Sequence, residues 1–145
     1  MTMSMTANRF ALAVLAMVMI VSISGCAKPE PAGLTDDQVG KVANNILQAI
    51  NMGDYQKFIQ DFSDEMLAAF GQDQFNEIHD MLQESSGNYV SLGELTMINQ
   101  KGYAIYLYQC EYEKENAIVK LVFAIGGDKV EGLYFDSTNL RAASK

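Results

Sequence analysis

The sequence predicts an α+β domain, with helices first and a curved four-stranded antiparallel meander after them. Three observations carry this. Apolar residues recur at helical spacing between Val39 and Leu82. From Tyr89 onward the period becomes two. The segments beyond Tyr89 are joined by short polar connections, which suit hairpins and are too short for parallel crossovers.

The first helix has a clear start. Thr35 is followed three residues later by Gln38, the spacing of a capping box, and Leu34 and Val39 occupy the staple positions around it. Asp36 and Asp37 fall in the first turn, where the helix dipole favours anions. Val39, Val42, Ala43, Ile46 and Ile50 form the apolar stripe, and Gly53 supplies the stop. Asp54 caps a short second helix carrying Tyr55, Phe58, Ile59 and Phe62. Ser63 caps a third, with Met66, Leu67, Ala69 and Phe70 inward, closed by Gly71. A fourth runs from 72 to 86 with Phe75, Ile78, His79 and Leu82 on one face.

Strands are expected at 89–98, 103–112, 117–125 and 130–136. Simple hairpin pairing sets Tyr112 opposite Ala117, Cys110 opposite Val119, Tyr108 opposite Leu121 and Tyr106 opposite Phe123. The next hairpin sets Phe123 opposite Gly132, Leu121 opposite Tyr134 and Val119 opposite Asp136. One face then carries Tyr106, Tyr108, Cys110, Tyr112, Val119, Leu121, Phe123, Tyr134 and Asp136, and the helices cover it. The other face presents Ile105, Leu107, Val122, Ala124, Leu133 and Phe135 at one end. Such an apolar patch calls for a second subunit or another protein, or else for residues 138–145 folding back over it. A one-residue slip exchanges the two faces.

Ahead of the domain, Ile23-Ser24-Gly25-Cys26 closes an apolar run that begins at Phe10, after a start whose only charged side chain is Arg9. This is the layout of a secretory signal peptide. The run is about 14 residues, short of the roughly 20 that a membrane-spanning helix needs. A cysteine directly after the small pair resembles the lipobox of prokaryotic lipoproteins, with Ile23 where leucine is commonest. The resemblance implies cleavage before Cys26 and a lipid on its thiol, hence a protein anchored to a cell membrane or envelope and facing away from the cytoplasm. Residues 26–33 then form a tether held extended by Pro29 and Pro31.

The chain has 145 residues and a net charge of -8; removing residues 1–25 leaves about 120 residues, one ordinary domain, with a charge of about -9. An acidic domain repels phosphate backbones, so no nucleic-acid role is expected, and membrane contact is expected through the lipid instead of a basic patch. With Cys26 lipidated, Cys110 has no partner and is expected to be a small buried hydrophobe; a Cys26–Cys110 disulfide requires that lipidation fail.

Helices followed by a curved meander resemble the cone-shaped fold of nuclear transport factor 2 and ketosteroid isomerase (cystatin-like in outline). More specific phrases are Ile50-Asn51-Met52-Gly53-Asp54-Tyr55, Asp61-Phe62-Ser63, Glu111-Tyr112-Glu113-Lys114-Glu115, and Gly132-Leu133-Tyr134-Phe135-Asp136-Ser137 with Leu140-Arg141 after it. Together they resemble domain-of-unknown-function family 3887, common in prokaryotic envelope lipoproteins. Tyr134 stands where that family leads one to expect tryptophan, and Thr138 where one expects proline. The resemblance covers residues 35–141 and brings no established catalytic residues. The resulting plan is a signal peptide at 1–25, lipidated cysteine and tether at 26–33, a cone-like domain at 34–141 and a tail at 142–145.

Candidate chemistry is sparse. His79, the single histidine, is either a core residue or a base in a cavity. Asp136 either caps the turn with Ser137 or points into the aromatic face near Cys110, where a carboxylate would serve as a base and Tyr108 or Tyr134 as oxyanion donors. Tyr106, Tyr108, Tyr112 and Tyr134 either line a pocket for an apolar ligand or fill the core. Asp54, Asp61, Asp64 and Glu65 lack the glycine and distal glutamate of a calcium loop, and one histidine with one spare cysteine cannot close a zinc site. No metal or cofactor is expected. The leading expectation is a non-enzymatic binding or scaffolding module, a homodimer or partner of another envelope protein. The rival is an isomerase- or dehydratase-type enzyme using the cone pocket.

Overall fold

In a computed structural model, which describes residues 28–145, the first helix, α1 (Asp36–Met52), begins as its capping box dictates. Thr35 Oγ1 accepts from Gln38 N–H at 3.3 Å, and Gln38 Oε1 accepts from Thr35 N–H at 2.9 Å. Gly53 ends it in the left-handed region at φ 65°, where other residues are strained. Asp54 Oδ1 caps α2 (Tyr55–Phe58), and Ser63 Oγ caps α3 (Asp64–Ala69). Gly71 ends the turn before α4 (Gln72–Ser85); its N–H donates to Gln74 Oε1. Phe58 joins these short helices, with ring centroids 4.9 Å from Phe62, 5.5 Å from Phe70 and 4.8 Å from Phe75. The expected signal peptide and Cys26 lie outside the described residues.

The sheet is an open antiparallel meander in the order β1 (Tyr89–Gln100), β2 (Tyr103–Tyr112), β3 (Asn116–Ala124), β4 (Val130–Asp136). α1 lays Val39, Ala43, Ile46 and Ile50 against its covered face, where Tyr106, Tyr108, Cys110, Val119, Leu121 and Phe123 are buried. Each fully buried Val, Leu, Ile or Phe among them contributes about 1.5–3 kcal/mol by leaving water. β1 runs two residues further than expected, because Lys101 (φ 51°) and Gly102 (φ 85°) make a two-residue turn of the type that matches strand twist.

Two registers differ from the simple hairpins. β2 and β3 pair Cys110 with Ala117, Tyr108 with Val119 and Tyr106 with Leu121, a shift of two residues that leaves every side chain on its expected face. The turn tightens because Glu113 N–H donates to Asn88 O and Lys114 N–H donates to Ser86 O, at the end of α4.

The β3–β4 register differs by one residue, and this reverses β4. Leu121 faces Leu133, Val119 faces Phe135 and Ile118 faces Asp136. A bulge between Val122 and Phe123 leaves Glu131 as the extra residue. Val130 fixes it: beside Phe123 on one edge, it also donates to Asp61 O at 2.8 Å and accepts from Ser63 N–H at 3.0 Å on the other. Leu133 and Phe135 therefore pack against the helix-side core, and Tyr134 and Asp136 point outward.

After β4 comes a further helix, α5 (Thr138–Ala143), which runs past the expected domain end at 141 into the expected tail. Ser137 Oγ caps it, and Thr138 is its first residue, the position at which proline is at home. Leu140 is buried and α5 packs on α4; Thr138 and Arg141 border the outer face near Gln109 and Ile118, while Ile105 and Val122 lie in a cleft that residues 138–145 do not line.

Candidate functional site

The tyrosine row lies under the helices as expected, but without Tyr134. Tyr106, Tyr108 and Tyr112 are all buried on the covered face. Tyr106 packs edge-on against Phe123 at 5.7 Å, and its hydroxyl accepts from Ala32 N–H at 3.0 Å. The neighbouring Tyr89 hydroxyl donates to Asn44 Oδ1 at 2.9 Å. The Tyr108 and Tyr112 hydroxyls are buried with no hydrogen-bond partner. Burial, aided by the charge of Asp36, pushes the Tyr108 phenol up to about 12, and burial also raises that of Tyr112. Cys110 sits among them with its thiol pushed up to about 12 by burial. Among the described residues the buried polar side chains besides these are Ser63, Ser86 and Ser137, so no carboxylate or imidazole enters the row. The row fills the core. Tyr108 borders open space, a groove of about 520 Å³ between α1 and Leu95 of β1.

The two candidate bases lie elsewhere. His79 lies at the edge of the apolar face of α4, about a third exposed, with its ring centroid 6.4 Å from that of Phe75 and Nδ1 3.0 Å from the exposed carboxylate of Asp80. Asp136 is corrected from the aromatic face to the outer face, away from Cys110. It is solvent-exposed and pairs with Arg141 at 3.3 Å. Neither residue approaches a buried tyrosine hydroxyl closely enough to share a proton with it.

The outer face carries a more promising concavity. The reversal of β4 removes Leu133 and Phe135 from the expected patch, while Ile105, Leu107 and Val122 remain on it. Ile105, Val122 and Gly132 line a cleft of about 380 Å³ flanked by Tyr103 and Tyr134. Gly132 keeps it open: a Cβ there would come within 3.3 Å of Val122 and 3.2 Å of the Tyr134 ring. Lys101, Lys120 and Glu131 also line it, with the Lys120 ammonium 4.2 Å from the Tyr134 ring centroid. Tyr103 is 42% and Tyr134 56% exposed, so two amphipathic rings stand free beside an apolar floor. This is the combination that protein contacts favour, and pairing Tyr134 with Tyr103 needed the bulged register.

The phrase Glu113-Lys114-Glu115 is structural. Glu115 Oε1 accepts from the hydroxyls of Ser86 and Ser137, both at 2.6 Å, and Oε2 accepts from Asn139 N–H at 3.0 Å. Burial pushes its pKa up, but these donors and the charge of Arg141 outweigh that and hold it below the ordinary value. Glu113 accepts from Asn88, and Lys114 Nζ donates to the last carbonyls of α4, Gln83 O and Glu84 O. The phrase thus clasps the ends of α4 and β4 together. Asp54 caps α2 and Asp64 and Glu65 lie in the first turn of α3; among the described residues no group of three or more His, Cys, Asp or Glu is placed to hold a metal ion. No helix among them is long and apolar enough to cross a membrane.

A family model described as "Protein of unknown function (DUF3887)" matches residues 43–133, from the middle of α1 into β4. No curated protein matches the chain. The match spans most of the chain, and the protein belongs to this family.

Proposed function

We propose that the protein is a lipid-anchored envelope lipoprotein whose domain, a cone of the nuclear transport factor 2 and ketosteroid isomerase type, serves as a non-enzymatic binding or scaffolding module. The lipid is carried by Cys26, and the partner protein, a second copy or another envelope protein, docks in the outer cleft. The observation that carries this reading is the cleft itself: Tyr103 and Tyr134, both well exposed, flank a floor of Ile105, Val122 and Gly132, with Ile105 buried at its base. The rival, an isomerase or dehydratase, has less support. Its space is filled by Tyr106 and Tyr112, and its bases, His79 and Asp136, pair with exposed charged side chains and make no hydrogen bond to the tyrosine row.

Native mass spectrometry of the full chain extracted from its own membrane tests this. The expected species carries acyl mass on Cys26 and a second protein mass, and Tyr103→Ser with Tyr134→Ser loses only the latter. An acylated monomer with no added protein overturns the docking reading. A chain without acyl mass overturns the anchor.

A further inference from the structure

The segment that leaves the lipidation site is not a free spacer; it is fastened to one end of the domain. Glu30 and Asn99 form a reciprocal pair: Glu30 N–H donates to Asn99 Oδ1 at 2.6 Å, and Asn99 Nδ2 donates to Glu30 O at 2.7 Å. Pro31 O accepts from Gly126 N–H at 3.2 Å, Ala32 N–H donates to Tyr106, and Gly33 N–H donates to Gly127 O at 2.6 Å. Gly33 permits this approach, since a Cβ there would fall 2.5 Å from Gly126 O. Asn99 lies at the end of β1 beside the β1–β2 turn, and Gly126 and Gly127 lie in the β3–β4 turn, which the meander brings to the same end of the sheet.

That end has its own character. Only one residue separates Cys26 from Lys28, so Lys28 lies within about 7 Å of an anchored Cys26. Charge there is mixed: Lys28, Lys101 and Lys129 are exposed beside Glu30 and Asp128, Glu131 shares a cleft with Lys101, and Asp64 and Glu65 share one with Lys129. Ile98 and Ile125 are 42% and 37% exposed on the flanks of the same turns. Exposed isoleucines beside lysines, whose long stems reach past them to the headgroups, suit the boundary of a bilayer. The clasp of Glu113 and Glu115 marks the opposite end of the sheet.

From this juxtaposition of fastened segment and exposed apolar side chains, we propose that the turn end of the domain rests on the phospholipid surface of the membrane that carries the anchor. The contact fixes the orientation of the domain, with the sheet standing on its β1–β2 and β3–β4 turns. It rests on the lipoprotein reading, because the anchor supplies the high local concentration that makes a few weak contacts sufficient.

The chain has no tryptophan, so a single introduced one reports alone. The full, processed chain carrying Ile125→Trp, and separately Val90→Trp near the other end of β1, is reconstituted in vesicles of phosphatidylcholine containing brominated lipid. The expected result is loss of fluorescence for Ile125→Trp and not for Val90→Trp. The loss should reverse when Asn99→Ala and Gly33→Ala unfasten the segment, with flotation of the vesicle-bound protein unchanged. Acylated, floating protein in which the two reporters are quenched alike, or in which neither is quenched, overturns the docking and leaves the anchor reading intact. Protein without acyl mass that does not float overturns both.

Discussion

The side-chain amide of Asn51 pairs with both backbone groups of Tyr89: its Oδ1 accepts from Tyr89 N–H at 2.9 Å and its Nδ2 donates to Tyr89 O at 2.8 Å. Asn51 sits in the last turn of α1 and Tyr89 opens β1, so one carboxamide acts as a strand neighbour and fixes where the sheet begins. Asn51→Ala should cost about 1–3 kcal/mol, measured by urea unfolding. Asn51→Asp is the sharper test. It retains the acceptor but sets a carboxylate oxygen against Tyr89 O, so its loss of stability should be smaller in mild acid than at neutrality. Equal losses at both pH values would contradict the bidentate arrangement.

The buried tyrosines separate into two kinds. Tyr112→Phe removes a hydroxyl that has no partner, and the protein should be as stable as wild type or more so by up to about 1 kcal/mol. Tyr106→Phe strands Ala32 N–H and Tyr89→Phe strands Asn44, so each should destabilise by about 1 kcal/mol. Thermal unfolding of the three variants side by side reads the difference. A destabilised Tyr112→Phe would show that its hydroxyl is satisfied in solution.

Local chemistry was legible in the sequence and long-range chemistry was not. Thr35, Asp54 and Ser63 announced three helix starts, because a cap bonds within three residues of itself. The limits of β2 and β4 followed from alternation. The reversal of β4 did not, because Val130 is held by Asp61 and Ser63, far away in sequence, and no hairpin count contains that bond. Tyr134, Asp136, Leu133 and Phe135 were misplaced for this one reason. It also hid the cleft, whose exposed rings come from β2 and β4. α5 has a single buried apolar residue, Leu140, and so no stripe to read.

Cys110 should be chemically silent. It is 1% exposed and burial pushes its thiol up to about 12, so almost no thiolate exists at neutral pH. In a Cys26→Ala background, which removes the other cysteine, Ellman's reagent should give no fast reaction with the native protein. One thiol should appear on adding denaturant. Fast native reaction would mean that the covered face of the sheet opens without global unfolding.

Glu115 should set much of the acid limit of the fold. Its carboxylate holds three donors from Ser86, Ser137 and Asn139, and two of those side chains, Ser86 and Ser137, are buried. Glu115→Ala strands them and should cost about 2–3 kcal/mol at neutral pH, by detaching α5 and the end of β4 from α4. The sign of the pH dependence follows from the lowered pKa. The unfolded chain binds the proton at higher pH than the folded one, so the stabilisation is complete above the ordinary carboxylate value of 4.5 and is lost as pH falls through the lower, folded value. Glu113, held below its ordinary value chiefly by the Asn88 backbone N–H, adds in the same direction. Urea midpoints of wild type and Glu115→Gln should therefore differ by a constant amount from neutrality down to about pH 5 and converge below it. A difference that persists undiminished into strong acid would mean that the hydroxyls of Ser86 and Ser137 recognise the shape of the side chain and not its charge.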